Sequence, residues 1–143
     1  MMRLIMGILL GVLACGIPLE LGAAEMRAST SAVRREVIAV LEAQLAHFRK
    51  GELADAYALA SAPLRAQRPL SAFAAMVEAN YPEIWTNTRA EFGVVRDDSI
   101  RANVIVQVYS KKGDAGYNYT LVKEGGRWRV HGVLRHASKK EKV

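Results

Sequence analysis

The chain has 143 residues, with 20 Lys and Arg against 14 Asp and Glu, a net charge of +6 and 51% hydrophobic residues. This length suits one domain built around one hydrophobic core. Cys15 is the only cysteine, so the sequence excludes a fold held together by disulfide bonds within the chain.

The first 24 residues have the features of a signal peptide. Arg3 precedes an apolar run over residues 4–17, and the small residues 22–24 follow it. Signal peptidase recognises a basic start, an apolar core of about 7–15 residues and small residues before the cut. We therefore expect cleavage between Ala24 and Glu25 and an exported protein, periplasmic or secreted. Cleavage also removes Cys15, which leaves no thiolate metal site and no cysteine nucleophile.

Two alternatives stay open for this segment. Residues 12–15 form a weak lipoprotein motif in which a lipid on Cys15 would anchor the protein, although the apolar character continues past that residue. An uncleaved segment would be the second kind of anchor, but Pro18 and Glu20 cut the run short of the roughly 20 apolar residues that span a bilayer. We expect no stable membrane anchor after cleavage.

A long first helix is predicted after a polar lead over residues 25–31. The hydroxyl residues 29–31 can cap its N-terminus. Apolar residues then recur every three to four positions from Val33 to Phe48, which is the helical period, and Gly51 is a typical helix end.

Two further helices are predicted. Residues 53–60 repeat the helical period, and residues 64–68 are interpreted as a turn closed by Pro69. Ser71 is expected to cap the third helix, which ends before Pro82 because proline disfavours helix at the preceding position.

Four strands are predicted in the second half of the chain, where the apolar period changes to two. The clearest lies over residues 100–108, with Ile100 and the even-numbered residues after it on one face. A weaker strand over residues 89–96 precedes it. A third covers residues 117–121, and a tight turn separates it from a fourth over residues 128–134, which is marked by the apolar residues Trp128, Val130 and Leu134.

Helices followed by hairpin-connected strands predict an α+β fold with three helices packed on one face of a curved four-stranded antiparallel sheet. Such a sheet leaves a cone-shaped cavity suited to a small ligand. We expect one domain over residues 32–136, followed by a charged tail over residues 137–143.

Spaced residues over about positions 33–134 resemble an exported bacterial family known as domain of unknown function 4864. The matching positions are Gln44-Leu45, Phe48-Arg49, Ala56-Tyr57, Ala60-Ser61, Pro63, Phe73, Met76-Val77, Tyr81-Pro82, Ile84-Trp85, Phe92-Gly93, Tyr119-Thr120-Leu121 and Trp128-Arg129-Val130-His131-Gly132. The family is similar to the nuclear transport factor 2-like superfamily, which implies a curved sheet wrapped on three helices. Val133 stands where many relatives have a cysteine.

This resemblance does not determine the function of the protein. Members of the superfamily include isomerases, dehydratases and cyclases that use Asp and His in the pocket, and many others only bind or dimerise. Our leading interpretation is an exported small-ligand-binding or protein-interaction domain without catalytic activity. The alternative is a lyase or isomerase that uses Tyr57, Glu78 or His131.

Aromatic residues are the best candidates for a binding site. Tyr57, Tyr81 and Trp85 come from helices and a proline-marked loop that the expected fold brings close together, and pockets are lined mainly by such side chains. We predict that these three contact a small apolar ligand.

No catalytic residue, metal or cofactor is expected. Strand alternation places His131 on the outer face with Arg129, in solvent, and Glu78 fits a solvated helix position. His47 and His136 have no companion at the spacing typical of metal ligands.

The predicted partners follow from charge and from strand alternation. No phosphate-binding loop or stacking motif is present, so we expect no bound nucleic acid, and the basic tail is interpreted as solvated.

The outer sheet face is predicted to form a homodimer. Its apolar residues would be Ile105, Tyr109, Val122 and Val133.

Overall fold

The computed structural model describes residues 25–136, which form five helices and six strands. The helices are α1 (Ser31–Lys50), α2 (Leu53–Ala58), α3 (Ala62–Gln67), α4 (Leu70–Asn80) and α5 (Pro82–Trp85). The strands are β1 (Arg27–Ala28), β2 (Asn87–Phe92), β3 (Arg96–Asp97), β4 (Arg101–Ser110), β5 (Gly113–Glu124) and β6 (Arg127–His136). The predicted signal peptide, Cys15 and the charged tail lie outside the described residues.

The α+β prediction is confirmed, whereas three helices and four strands were too few. None of the helices in residues 25–136 is both long and apolar enough to cross a bilayer.

α1 has the boundaries that the sequence predicts. The Thr30 hydroxyl accepts a hydrogen bond from the Val33 N–H at 3.2 Å, and Gly51 ends the helix with a φ of 72°. Only glycine adopts that conformation at little cost, which explains why the helix stops there. The buried stripe of the helix consists of Val37, Leu41, Gln44, Leu45 and Phe48.

The predicted turn at residues 64–68 was wrong, because α3 forms there. Ser61 caps α3 by accepting a hydrogen bond from the Leu64 N–H at 3.4 Å, and Pro63 lies in the first turn, where proline needs no hydrogen bond. α5 begins in the same way at Pro82.

Ser71 does not cap α4. The Pro69 carbonyl accepts a hydrogen bond from the Phe73 N–H at 2.9 Å, so α4 already begins at Leu70. Pro69 is therefore the N-cap residue, and no side-chain hydrogen bond caps this helix.

All strand pairs are antiparallel, in the order β1-β3-β4-β5-β6, and β2 also pairs with β4. β2 and β3 therefore lie end to end along the same edge of β4. The prediction joined them into one strand over residues 89–96, but residues 93–95 leave the ladder between them. β1 was missed because its two residues lie in a polar segment without a detectable period.

The inner sheet face packs on α1 in a single core. Its buried residues in β4 and β5 are Ala102, Val104, Val106, Val108, Ala115, Tyr117, Tyr119 and Leu121. Strand alternation predicts this face correctly for both strands. Ile100 was expected there too, but it precedes β4 in a bend and is 66% exposed.

A β-bulge in β6 reverses the predicted orientation of the last residues. Leu121 pairs with Val130, whereas Thr120 pairs with Gly132, so His131 is an extra residue in β6. Val133 consequently lies opposite Tyr119 on the inner face, and the prediction that it belongs to the outer face was wrong. Leu134 is exposed on the outer side instead.

Candidate functional site

A pocket of about 230 Å³ lies between the helices and the inner face of β5 and β6. Its walls are mostly apolar and come from α1, α3, α4, α5 and the two strands. These wall residues are Phe48, Leu64, Phe73, Met76, Val77, Ile84, Val130 and Val133. Because an apolar cavity of about 150 Å³ already accommodates benzene, this pocket has room for a substituted single ring.

Tyr119 supplies a hydroxyl group to this apolar lining. The side chain is 1% exposed, and its hydroxyl forms no hydrogen bond with any residue in the range 25–136. Burial raises the pKa of the Tyr119 phenol well above its usual range, with smaller contributions from Tyr117 and Tyr81. The phenol therefore stays neutral and is an available hydrogen-bond donor and acceptor.

Gln44 adds a second polar group. It is 4% exposed, and its Nε2 donates to the Ala56 carbonyl at 3.0 Å, which fixes the orientation of the side-chain amide. The amide oxygen of Gln44 accepts no hydrogen bond within the described part of the chain. A buried amide and a buried phenol in one lining are the few polar groups that orient a ligand in an apolar pocket.

The mouth of the pocket lies at the C-terminal end of α3, where Gln67 and Arg68 are exposed. Tyr57 holds this end in place, because its hydroxyl lies 2.9 Å from the Arg65 carbonyl and 2.7 Å from the Arg68 carbonyl. The Tyr57 hydroxyl therefore donates its proton to these backbone carbonyls.

The three predicted site residues take different places. Tyr81 lines the pocket, and its hydroxyl donates to the Val133 carbonyl at 3.1 Å. Tyr57 and Trp85 lie behind the lining. The Tyr57 ring packs edge-on against the Phe73 ring, with 5.2 Å between the ring centroids, and the centroid of the Trp85 ring lies 6.0 Å from that of Phe48.

Sequence reasoning missed three members of the site. Gln44 could have been found, since it is a polar residue within the apolar stripe of α1. Tyr119 belongs to the predicted strand over residues 117–121, and strand alternation alone does not show that its polar hydroxyl reaches a pocket. Arg68 had no such signal, because its position depends on α3, which was interpreted as a turn.

The acid and base candidates lie outside the pocket lining. Glu78 is exposed, as expected. His131 was expected in solvent, but the bulge leaves it half-buried, with Nδ1 2.8 Å from the hydroxyl of Ser61. Ser61 is fully buried and caps α3, so the pair has a structural role at the sheet edge rather than the geometry of an accessible nucleophile.

The structure corrects the view that His47 has no companions. Ligand atoms of His47, Glu52 and Asp55 all lie within 4.8 Å of one another, because the turn at Gly51 brings α1 and α2 together. The His47 Nδ1 lies 2.8 Å from a carboxylate oxygen of Glu52. Asp55 lies in the first turn of α2, where a negative charge is favourable. These two contacts account for the cluster.

Two larger clefts, of about 460 and 430 Å³, lie beside α1. Their walls carry exposed charged side chains, including Glu42, Arg49 and Arg35, so they lack the apolar enclosure of the pocket.

Comparison with known proteins gives one match. The family model described as Domain of unknown function (DUF4864) matches residues 30–143. The chain belongs to this family. The prediction from spaced residues is therefore confirmed at the level of the family. No curated protein and no solved structure matches the chain significantly.

Proposed function

We propose that this protein binds a small, mostly apolar ligand in the pocket of about 230 Å³. The Tyr119 hydroxyl carries the proposal, because it belongs to a side chain that is 1% exposed and lines the pocket, and because it is neutral and has no hydrogen-bond partner among residues 25–136. A ligand with one polar group can form a hydrogen bond with this hydroxyl inside the pocket. The preferred ligand is therefore a single ring or short chain with a hydroxyl or carbonyl group.

The composition of the lining favours binding over catalysis. Within the described residues it includes no carboxylate and no imidazole, and the candidates of the enzyme alternative, Tyr57, Glu78 and His131, all lie outside it. General acid–base catalysis needs a group that exchanges a proton near neutral pH. The raised pKa of Tyr119 removes this phenol from that role.

The test uses 4-ethylphenol, a single ring with one hydroxyl group. Isothermal titration should show saturable binding, and Met76→Trp should abolish it by filling the pocket. Leu70→Trp is the matched control, because Leu70 is on the same helix but is 38% exposed and outside the lining. Absence of binding, or equal binding by both variants, would overturn the proposal.

We also propose that the protein is exported through a signal peptide cleaved after Ala24, which the N-terminal sequence outside the described residues supports. The packing of helices on one sheet face around a pocket supports a cone-like arrangement of the nuclear transport factor 2-like type.

We also propose a homodimer through the outer sheet face. Ile105 pairs with Asn118, which in turn pairs with Leu134, so the three residues form one row across β4, β5 and β6. Ile105 is 42% and Leu134 is 72% exposed. A two-fold axis beside this row would bring the apolar Ile105 and Leu134 side chains of the two copies together and remove them from water.

A further inference from the structure

The pocket mouth combines a positive charge with an apolar interior. Arg68 is exposed, lines the mouth and has no hydrogen bond or ion pair between its side chain and the rest of residues 25–136. Phe73 and Met76 form part of the wall behind it. A ligand in the pocket therefore has apolar surroundings along its body and a cation at its outer end.

The backbone of Arg68 is held in place by the fold. Tyr57 holds the backbone carbonyl of Arg68 at 2.7 Å, and Pro69 follows directly. A fixed backbone reduces the entropy lost when the side chain orders around a ligand.

The local charge at the mouth is positive. Residues 61–68 include Arg65 and Arg68 but no acidic residue. The carboxylate of Glu124 touches α3 only at its opposite end, where it accepts a hydrogen bond from the Ala62 N–H at 3.0 Å.

We propose that the ligand is a small aromatic carboxylate that carries a hydroxyl group at its far end. The carboxylate pairs with Arg68 at the mouth, the ring fills the apolar pocket, and the hydroxyl meets the phenol of Tyr119 and the amide oxygen of Gln44. A guanidinium is suited to this pairing because its N–H groups match both carboxylate oxygens. A hydroxyl both donates and accepts, so it can satisfy both inner groups. This inference rests on the proposed binding function.

The test compares 3-(4-hydroxyphenyl)propionate with its neutral amide, which has nearly the same size and shape. Isothermal titration at pH 7 and low salt should show that the carboxylate binds about fivefold more tightly, the scale expected for one solvent-exposed ion pair. Arg68→Gln should lower the affinity of the carboxylate to that of the amide and leave the amide unchanged. Added salt should narrow the difference in the unmodified protein.

Arg35→Gln is the matched control, since Arg35 is an exposed arginine on α1 outside the pocket lining. It should change neither affinity. Equal affinities for the two compounds in the unmodified protein, or an equal loss of both in Arg68→Gln, would overturn this inference while 4-ethylphenol still binds. If 4-ethylphenol also fails to bind, the proposed function itself is wrong.

Discussion

Tyr117 and Tyr119 lie two residues apart on the inner face of β5, but within residues 25–136 only the Tyr117 hydroxyl has a hydrogen-bond partner. It donates to the carboxylate of Glu83, and Arg135 Nη2 donates to both groups, at 3.0 Å to the Tyr117 oxygen and 2.8 Å to Glu83. The Tyr119 hydroxyl instead meets the pocket without a partner among the described residues. A tyrosine hydroxyl therefore stabilises the fold at position 117, whereas at position 119 it is available to a ligand.

The two tyrosines should respond oppositely to loss of the hydroxyl. Tyr117→Phe should lower the free energy of unfolding by about 1.5–3 kcal/mol, the usual value of a hydrogen bond to a charged group. Tyr119→Phe should leave it unchanged or raise it, yet weaken binding of 4-ethylphenol. Urea denaturation and titration check both effects. An equal loss of stability in the two variants would contradict the assignment.

Glu83 should make stability dependent on pH in the acid range. Burial alone would raise the pKa of its carboxyl, but hydrogen bonds from Tyr117, the backbone and Arg135, together with the Arg135 charge, hold this pKa below its ordinary value of 4.5. A folded-state pKa below the unfolded value contributes stability that is present above pH 4.5 and is lost as the pH falls through the folded value.

In the unmodified protein the free energy of unfolding should decrease as the pH falls below 4.5, and Glu83→Gln should make this decrease smaller. Glu78→Gln is the control, because Glu78 is exposed and should leave the curve unchanged. Denaturation series at several pH values measure this, and identical curves for the two variants would count against the role of Glu83.

α1, β4 and β5 could be predicted because each has a strong apolar period, and α1 also has clear end signals. The stripe of α1 and the alternation of β4 are examples, since one buried face determines both patterns. The bulge at His131 could not be predicted, because it depends on the pairing of β6 with β5 rather than on the residues of β6 themselves. One extra residue then exchanged the faces of Val133 and Leu134.

That exchange is directly testable. Val133→Glu should lower the free energy of unfolding by about 2 kcal/mol or more, since it places a charge against the inner face. Leu134→Glu should change it by no more than about 0.5 kcal/mol, because Leu134 is 72% exposed. Denaturation at low protein concentration separates this effect from any association. A larger loss in Leu134→Glu would show that the outer-face assignment is wrong.

The proposed dimer predicts a concentration-dependent mass. The combination of Ile105→Glu and Leu134→Glu should shift the protein to monomer while its circular dichroism stays unchanged, because both residues lie on the exposed outer face. Light scattering of the unmodified protein is the decisive comparison. A monomer at high micromolar concentration would refute the dimer.

Export predicts a defined N-terminus. Mass spectrometry of the protein from its native envelope should find Glu25 as the first residue, because the small residues 22–24 precede it. An intact Met1 would indicate an uncleaved segment, and a lipid on Cys15 would indicate the lipoprotein alternative.

The candidate site was only partly predictable because a pocket joins residues that are distant along the chain. Tyr81 could be proposed from its aromatic type and its place before Pro82. Tyr57 shares that type, but its hydroxyl reaches carbonyls of α3, an element that the sequence did not predict as a helix. A ligand role for Tyr119 depends on its hydroxyl having no partner among the described residues, which the sequence does not show.

Chemical-shift mapping tests the central claim most directly. Two-dimensional NMR of the protein titrated with 4-ethylphenol should show saturable shifts at the amides of Val130, Gly132 and Val133 and in α4, all of which border the pocket. The amides of Ile105 on the outer face and of Glu42 on the exposed side of α1 should not shift. Shifts confined to those two regions, or none at all, would contradict a ligand pocket beside Tyr119.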